Sequence, residues 1–312
     1  MKIAFWDNSL NIRGTTVAMY DYAYYNRTLL GNESIIIYNV TQPPNDQNVI
    51  NKFKKEFKVF GVDDFNKVDD ILIQEKCDLL YVIEWGNDML RTSKVCKIVI
   101  HCVFGCDKPH GDVYASIGPW VDGNNGKYPY VPHMVNLPNN TDNLRAQLNI
   151  PESATVFGRH GGDGEFNIEY AQRIVYDVAL NNPNIYFLFV NTRLFCMPLP
   201  NIIHLNAITD LETKVAFINT CDAMLWARNT GETFGLAMGE FSIKNKPIFC
   251  TKMGQLAHTH ILGDKAFWYN EDTLKQMILD FNKDEESKKD WNCYKEYTPE
   301  NVMKKFKEVF ID

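Results

Sequence analysis

The chain has 312 residues, 45% of them hydrophobic and 23% charged, with a formal net charge of −7 at pH 7. That mix excludes a disordered or fibrous protein, and the length suits two domains, each able to bury a core of its own. The acidic balance excludes a broad nucleic-acid footprint, which needs a dense Lys/Arg face.

Eight cysteines occur at irregular positions without a CxxC pair, and the opening MKIAFWDNS lacks the apolar stretch of a signal peptide. Both features predict reduced thiols and a cytoplasmic setting. The longest apolar runs, such as IYFLFV at 185–190, are too short to span a bilayer.

KIAFWD (2–7) predicts a strand, followed by a polar loop with Gly14 and a helix over TTVAMYDYAYYNRTLL, capped by Thr15 and closed by Gly31. SIIIYNV (34–40) is a second strand, residues 48–59 a Lys-rich amphipathic helix, and LLYVI (79–83), KIVIHCVF (97–104) and DVYASIG (112–118) are further strands. This alternation predicts an α/β fold with a mostly parallel, doubly wound sheet. Prolines and asparagines in YPYVPHMVNLPNN (128–140) read as a linker.

Beyond it the pattern restarts. TDNLRAQLNIP predicts a short helix, ATVFGRHGG (154–162) a strand ending in a glycine turn, and FNIEYAQRIVYDVALNN (166–182) a helix. Strands are expected at 185–191, 201–207, 223–227 and 246–250, with helices between them. TPENVMKKFKEVFI (298–311) carries a helix cap at Thr298 with Glu300 and could fold back on either domain. The expected division is 1–137 and 138–297, with the terminal helix, 298–312, assigned to the first domain.

The chemistry concentrates in GETFGLAMGEFS (231–242), at a strand-to-helix turn. A helix starting near Thr233 as N-cap leaves the N–H groups of Phe234, Gly235 and Leu236 unpaired, where the helix dipole favours an anion such as phosphate. Gly235 lets a ligand approach the backbone. Glu232 stands just outside the helix, and Glu240 lies about two turns on, roughly 9 Å along the axis, with its Cβ leaning back toward the N-terminus. A carboxylate there can accept hydrogen bonds from ribose hydroxyls. A plain helix start with one surface acid at each end accounts for the same residues without a ligand.

GETFGLAMGE has the form E-x7-E with an FG pair after the first Glu, and resembles the signature of glycosyltransferase family 4, retaining enzymes of the GT-B architecture. CDAMLWA before it, NKPIFC after it and ATVFGRHGG upstream are similar to other motifs of that family, so the resemblance covers about residues 131–250. The first half is similar only in layout.

The resemblance implies two Rossmann-like doubly wound domains facing each other across a cleft, the first on the acceptor side and the second binding a nucleotide-sugar donor. It also implies transfer of the sugar with retention, with no cofactor and no metal. The partners implied are the donor and a glycan, lipid or small-molecule acceptor.

Residue by residue, the resemblance implies that Glu240 binds the ribose, that Glu232 lies by the donor sugar and that the amides of Thr233, Phe234, Gly235 and Leu236 hold the diphosphate. Arg159 stands at the family's diphosphate-binding arginine, where a guanidinium would stabilise the charge of the leaving group. The family usually carries a lysine five residues later, where this chain has Gly164. Arg228 is the candidate replacement, or else a surface residue pairing with Glu232. Gly14, in IRGTT, occupies the family's loop that faces the donor phosphates, or else a plain turn, and His101 resembles a histidine that contacts the donor sugar, or else is a packed, hydrogen-bonded residue at a strand end. Glu232, Arg159 and His101 are therefore the candidate catalytic residues.

Other readings attach to specific residues. His101, Cys102, Cys106 and His110 gather donors that a zinc ion would use, and His258 and His260 alternate in a predicted loop. The Lys-rich stretch 51–60 suits either weak contact with an anionic membrane or a helix with a solvated lysine face. MYDYAYYN (19–26) suits an acceptor sugar site or a core. An inverting transferase would need a base such as Asp7 or His101. A nucleotide-sugar or glycan-binding relative without turnover is supported by Gly164. A Rossmann dehydrogenase is disfavoured, because no GxGxxG follows either first strand.

Overall fold

Runs of Val, Ile, Leu and aromatic residues set the strands of the first half: β1 (Lys2–Asp7), β2 (Glu33–Asn39), β3 (Lys58–Val62), β4 (Leu79–Glu84), β5 (Lys97–Cys102) and β6 (Val113–Ser116). In the computed structural model, which describes residues 1–42, 44–86 and 90–312, these strands form one parallel sheet in the order β3-β2-β1-β4-β5-β6. β1, β4 and β5 are apolar on both faces because helices cover a parallel sheet on both sides.

The connecting helices include α1 (Gly14–Thr28), α2 (Gln47–Glu56) and α3 (Val68–Glu75). α1 begins at Gly14 with Arg13 as its N-cap, two positions earlier than the Thr15 cap expected from sequence. The turn before it is organised by Asn11, which accepts from the Arg13 amide at 2.9 Å, and by Asp7, which accepts from Thr16 Oγ1 at 2.8 Å. α2 is capped by Asp46, whose carboxylate accepts from the amides of Asn48 and Val49. It stops at Glu56, where Phe57 turns extended and the chain enters β3, a strand that lay inside the expected helix end.

In the second half, β7 (Thr155–His160), β8 (Ile185–Val190), β9 (Ile202–Leu205), β10 (Ala223–Leu225), β11 (Gly231–Glu232), β12 (Ile248–Cys250), β13 (Gln255–Leu256) and β14 (Phe267–Trp268) are the strands. Six of them make a second parallel sheet, β14-β12-β10-β7-β8-β9, and β11 pairs with β13. Counted within its own sheet, each set runs 3-2-1-4-5-6, the doubly wound order in which direction reverses beside the first strand.

The helices are α4 (Glu169–Asn181), α5 (Leu211–Thr220), α6 (Leu236–Ile243), α7 (Ala257–Leu262), α8 (Leu274–Leu279), α9 (Lys283–Glu286) and, last, α10 (Pro299–Phe306). Phe157, Phe187, Phe189, Val175, Val178, Leu225 and Phe249 form the centre of the second core.

Two sequence expectations fail locally. TDNLRAQLNIP makes turns instead of a helix: Asn149 is left-handed at φ 54° and Pro151 follows, while the Arg145 guanidinium is drawn inward to the carbonyls of Pro151 and Ala154 and to Asp222 at 2.9 Å. AHTHIL, expected as a loop, is the helix α7.

The chain divides into residues 1–134 with 297–312, and residues 135–296. Residues 131–140 have no helix or strand, yet 131–135 are buried, and the Val131 amide donates to Ser116 at 2.8 Å. α10 is capped by Thr298, which accepts from the Asn301 amide, and has Pro299 in its first turn. It continues into a π-helical turn, Lys307–Ile311. Its Phe306 ring stacks on Tyr22 at 5.5 Å and Phe5 at 6.3 Å, and Phe310 meets Tyr81 at 5.6 Å and His101 at 5.2 Å. Both phenylalanines are fully buried, each contributing about 2–3 kcal/mol of burial free energy.

Candidate functional site

In open α/β sheets, ligands sit beyond the carboxyl ends of the strands where the strand order reverses. In the second sheet that place lies between β7 and β10. β7 ends in Arg159 and His160 and runs into the glycine turn 161–164.

The Arg159 guanidinium is almost fully buried. It donates to Thr192 Oγ1 at 2.5 Å and to the Gly162 carbonyl at 3.0 Å, with the Glu165 carboxylate 3.7 Å away. Burial lowers its pKa to about 10, with Glu165 and Glu232 pulling the other way, so it stays charged at neutral pH. Glu165 in turn accepts from the Gly162 amide at 2.9 Å and fixes the glycine turn.

β10 leads into Trp226–Gly235. Trp226 packs against His258 at 4.9 Å, and its indole N–H donates to Glu232 at 2.9 Å. Arg228 reaches Glu232 at 3.4 Å and Glu165 at 3.2 Å, so one guanidinium bridges the acids of both loops. Burial raises the pKa of Glu232, against the pull of Arg228 and the Trp226 N–H. Gly231, at φ 71°, lies so close to β13 that an added Cβ would come within 2.2 Å of the Gln255 backbone.

α6 begins at Leu236, two residues later than expected, and Thr233 is not its N-cap. Gly235 is, in the left-handed conformation at φ 81°, with no side-chain cap on the first-turn amides. Thr233 and Phe234 are buried. The Phe234 carbonyl accepts from Tyr294 Oη at 2.7 Å, and its ring meets Tyr294 edge-on at 5.5 Å. The first-turn amides without a cap side chain therefore start at Leu236, and those of Thr233 and Phe234 lie ahead of the helix.

Glu240 follows one turn further along. Its Oε1 accepts from Lys214 Nζ of α5 at 2.7 Å, and its Oε2 lies 2.9 Å from His160 Nε2 at the end of β7. Burial would raise its pKa, but Lys214 and His160 outweigh that and hold it at about 2. Neither Lys214 nor His160 was evident from sequence as a partner of Glu240, since both lie far from it in the chain and nothing in ATVFGRHGG marks His160 for that contact. Gly164 stands in open space, with nothing within 4 Å of where a Cβ would be.

Arg159, Arg228, Glu232, Gly235, Leu236 and Glu240 thus come together within residues 135–296. Gly14 and His101 lie in the other unit. Gly14 is exposed in the first turn of α1.

His101 is fully buried. Its Nδ1 is 2.6 Å from Tyr81 Oη, and its Nε2 faces the carbonyls of Val131 at 2.9 Å and Ser116 at 3.2 Å. Burial lowers its pKa to about 4. Where the resemblance implies a sugar contact, the His101 ring has no exposed surface and both its nitrogens are engaged within the core of the first unit.

Asp7 is likewise buried, between Thr16 and Arg13, and burial raises its pKa. Among the described residues no group of three His, Cys, Asp or Glu is placed to hold a metal ion, the 101–112 stretch included. His258 Nε2 pairs with the Thr251 carbonyl at 2.8 Å.

The Lys-rich helix α2 buries Val49, Ile50 and Phe53 in its own core and leaves Lys54 and Lys55 exposed. Of the 19–26 aromatics, Tyr22 is core, and Tyr20 packs edge-on against Phe53 and Phe57. No described helix is long and apolar enough to cross a membrane.

The two sheets, each in the 3-2-1-4-5-6 order, define the GT-B fold. No protein-family model matches the chain, and no curated protein matches it in sequence. Solved structures do match. A glycosyltransferase from Rickettsia africae ESF-5 is similar at TM-score 0.66 and 12% identity, over 99% of this chain and 97% of that one. Anabaena Alr3699/HepE in complex with UDP-glucose is similar at TM-score 0.65 and 15% identity, over 99% and 95%. TarM is similar at TM-score 0.67 and 9% identity, over 100% and 99%. At these identities the likeness is one of fold.

Proposed function

We propose that this protein is a glycosyltransferase that takes a sugar from a nucleoside diphosphate sugar and passes it to an acceptor hydroxyl with retention of anomeric configuration. The observation that carries this reading is the meeting of Arg159, Arg228, Glu232 and Glu240 around the start of α6, at the order reversal of the second sheet.

In this reading the diphosphate sits on the first-turn amides of α6, with Arg159 and Arg228 stabilising the leaving group. Glu240 receives the ribose hydroxyls, and Glu232 lies by the donor sugar. The bond from the anomeric carbon to the phosphate oxygen breaks, and a bond to the acceptor oxygen forms on the same face. The leaving phosphate takes the acceptor's proton, so no side-chain base is needed and no metal is part of the proposal. The acceptor is a hydroxyl of a glycan, lipid or small molecule, and the reaction is assigned to the cytoplasm.

A non-catalytic nucleotide-sugar binder is the second reading, favoured by Gly164, which leaves one cation fewer at the site. A thermal-shift screen against UDP-, GDP-, ADP- and dTDP-sugars tests the donor site, because a bound ligand raises apparent stability by linkage. The reading expects a shift with one nucleotide series and none with the others; no shift with any would overturn it. Donor consumption with an acceptor panel then separates transferase from binder, and the anomeric configuration of the product separates retention from inversion.

A further inference from the structure

Glu240 is held from two sides by residues of two other elements. The Lys214 ammonium, on α5, meets Oε1 at 2.7 Å, and the His160 ring, at the end of β7, lies 2.9 Å from Oε2. The His160 ring is itself fixed, stacked on Phe241 at 5.8 Å and edge-on to Phe217 at 6.0 Å. All three side chains are largely buried, with 10% of Glu240, 14% of Lys214 and 13% of His160 exposed.

An ionised carboxylate has room for about four hydrogen-bond donors. Lys214 takes one direction on Oε1, and the His160 ring stands 2.9 Å from Oε2 without completing a well-aligned hydrogen bond, so at least two directions remain, the number that a vicinal diol supplies. His160 is the lesser countercharge, because burial lowers its pKa although Glu240 pulls the other way. The charge that chiefly offsets the desolvation of Glu240 is that of Lys214, with His160 second.

We propose that Lys214 is the positioning residue of Glu240: its ammonium fixes one carboxylate oxygen, so that the two acceptor directions left over meet the vicinal hydroxyls of a ribose. This inference rests on the glycosyltransferase reading of the site. The groups acting on Glu240 are Lys214 and His160, with Arg159 acting on His160 in turn. Replacing Lys214 by a neutral residue leaves a carboxylate whose burial is no longer opposed by a full charge. Its pKa then rises, and ribose binding, which needs the ionised form, weakens as pH falls.

The test is calorimetric titration of wild type, Lys214→Met and Lys214→Arg with UDP, GDP and ADP in turn, at several pH values from about 8 to about 6. The ratio of variant to wild-type Kd removes the ligand's own titration. For Lys214→Met this ratio is expected to grow toward about tenfold for each pH unit lost below the raised pKa, while Lys214→Arg stays near wild type at every pH. Should Lys214→Met not fold, Lys214→Gln carries the same comparison. A neutral variant that binds as wild type does, or is weaker by one constant factor at all pH values, overturns the inference and leaves the donor-site reading standing. A wild type that binds none of the three overturns this inference, and if dTDP fails to bind as well, the donor-site reading with it.

Discussion

Arg228 reaches Glu232 at 3.4 Å across a single turn, on the carboxylate that also accepts the Trp226 indole N–H. With Glu165 on its other side at 3.2 Å, the guanidinium lies between two acids. On the proposed reading a diphosphate arriving there would exchange one set of anionic partners for another, and Arg228 would then contribute to ligand binding as well as to the fold. Arg228→Met is expected to weaken nucleoside diphosphate binding by about 10- to 100-fold, the worth of one charge-assisted hydrogen bond of about 1.5–3 kcal/mol. Titration calorimetry checks this, and an unchanged Kd would return Arg228 to a purely structural role.

Gly164 offers the opposite experiment. Its φ is not positive and nothing lies within 4 Å of where a Cβ would be, so Gly164→Lys is expected to fold with an unchanged Tm. The added charge should tighten diphosphate binding by roughly three- to tenfold, about 0.7–1.4 kcal/mol. A variant that folds normally and binds no better would show that the cation deficit at the glycine turn has no consequence for the ligand.

The buried imidazoles of the first unit set a pH dependence of stability. His101 is lowered to about 4 and His133 to about 3, both chiefly by burial, from an ordinary 6.5. In the window below about 6.5 the unfolded chain binds protons that the folded chain does not, so stability is full above that pH and falls as the pH drops toward about 4. His101 alone accounts for about 3 kcal/mol across its window. Chemical denaturation at a series of pH values should show this slope, and His101→Gln should flatten it. A wild-type profile that is level from pH 7 down to about pH 4 would contradict the assignment.

Phe306 is fully buried among Phe5, Tyr22 and Tyr81. Phe306→Ala should cost about 3–5 kcal/mol by lost burial and the cavity left behind, read as a lower midpoint in denaturant. A loss under about 1 kcal/mol would mean that α10 adds little to the core it covers.

The alternation of long strands and helices was legible because parallel strands covered on both faces read as continuous apolar runs, as in LLYVI and IYFLFV. Short elements were not: β3 follows directly on α2, and β11 and β13 have two residues each, set by a close backbone approach that leaves no pattern. Glu232 and Glu240 were legible as a spacing around one turn with Arg228 just before it, whereas Arg159 was indicated only by the resemblance of ATVFGRHGG to a family motif. Lys214 and His160 were not, because each meets Glu240 only once the sheet is assembled. The start of α6 was misplaced by two residues because Gly235 caps it through a left-handed backbone, whereas the sequence offered Thr233 as a side-chain cap. His101, a lone histidine at a strand end, proved to be a packed one.

Residues 297–312 complete the first unit, yet in the chain they come after all of residues 135–296. On a ribosome the unit begun first therefore cannot be finished until the unit begun second has been made, a delay of roughly ten to thirty seconds at about 5–20 residues per second. Throughout that interval the apolar surface of Phe5, Tyr22 and Tyr81 waits without Phe306 and Phe310.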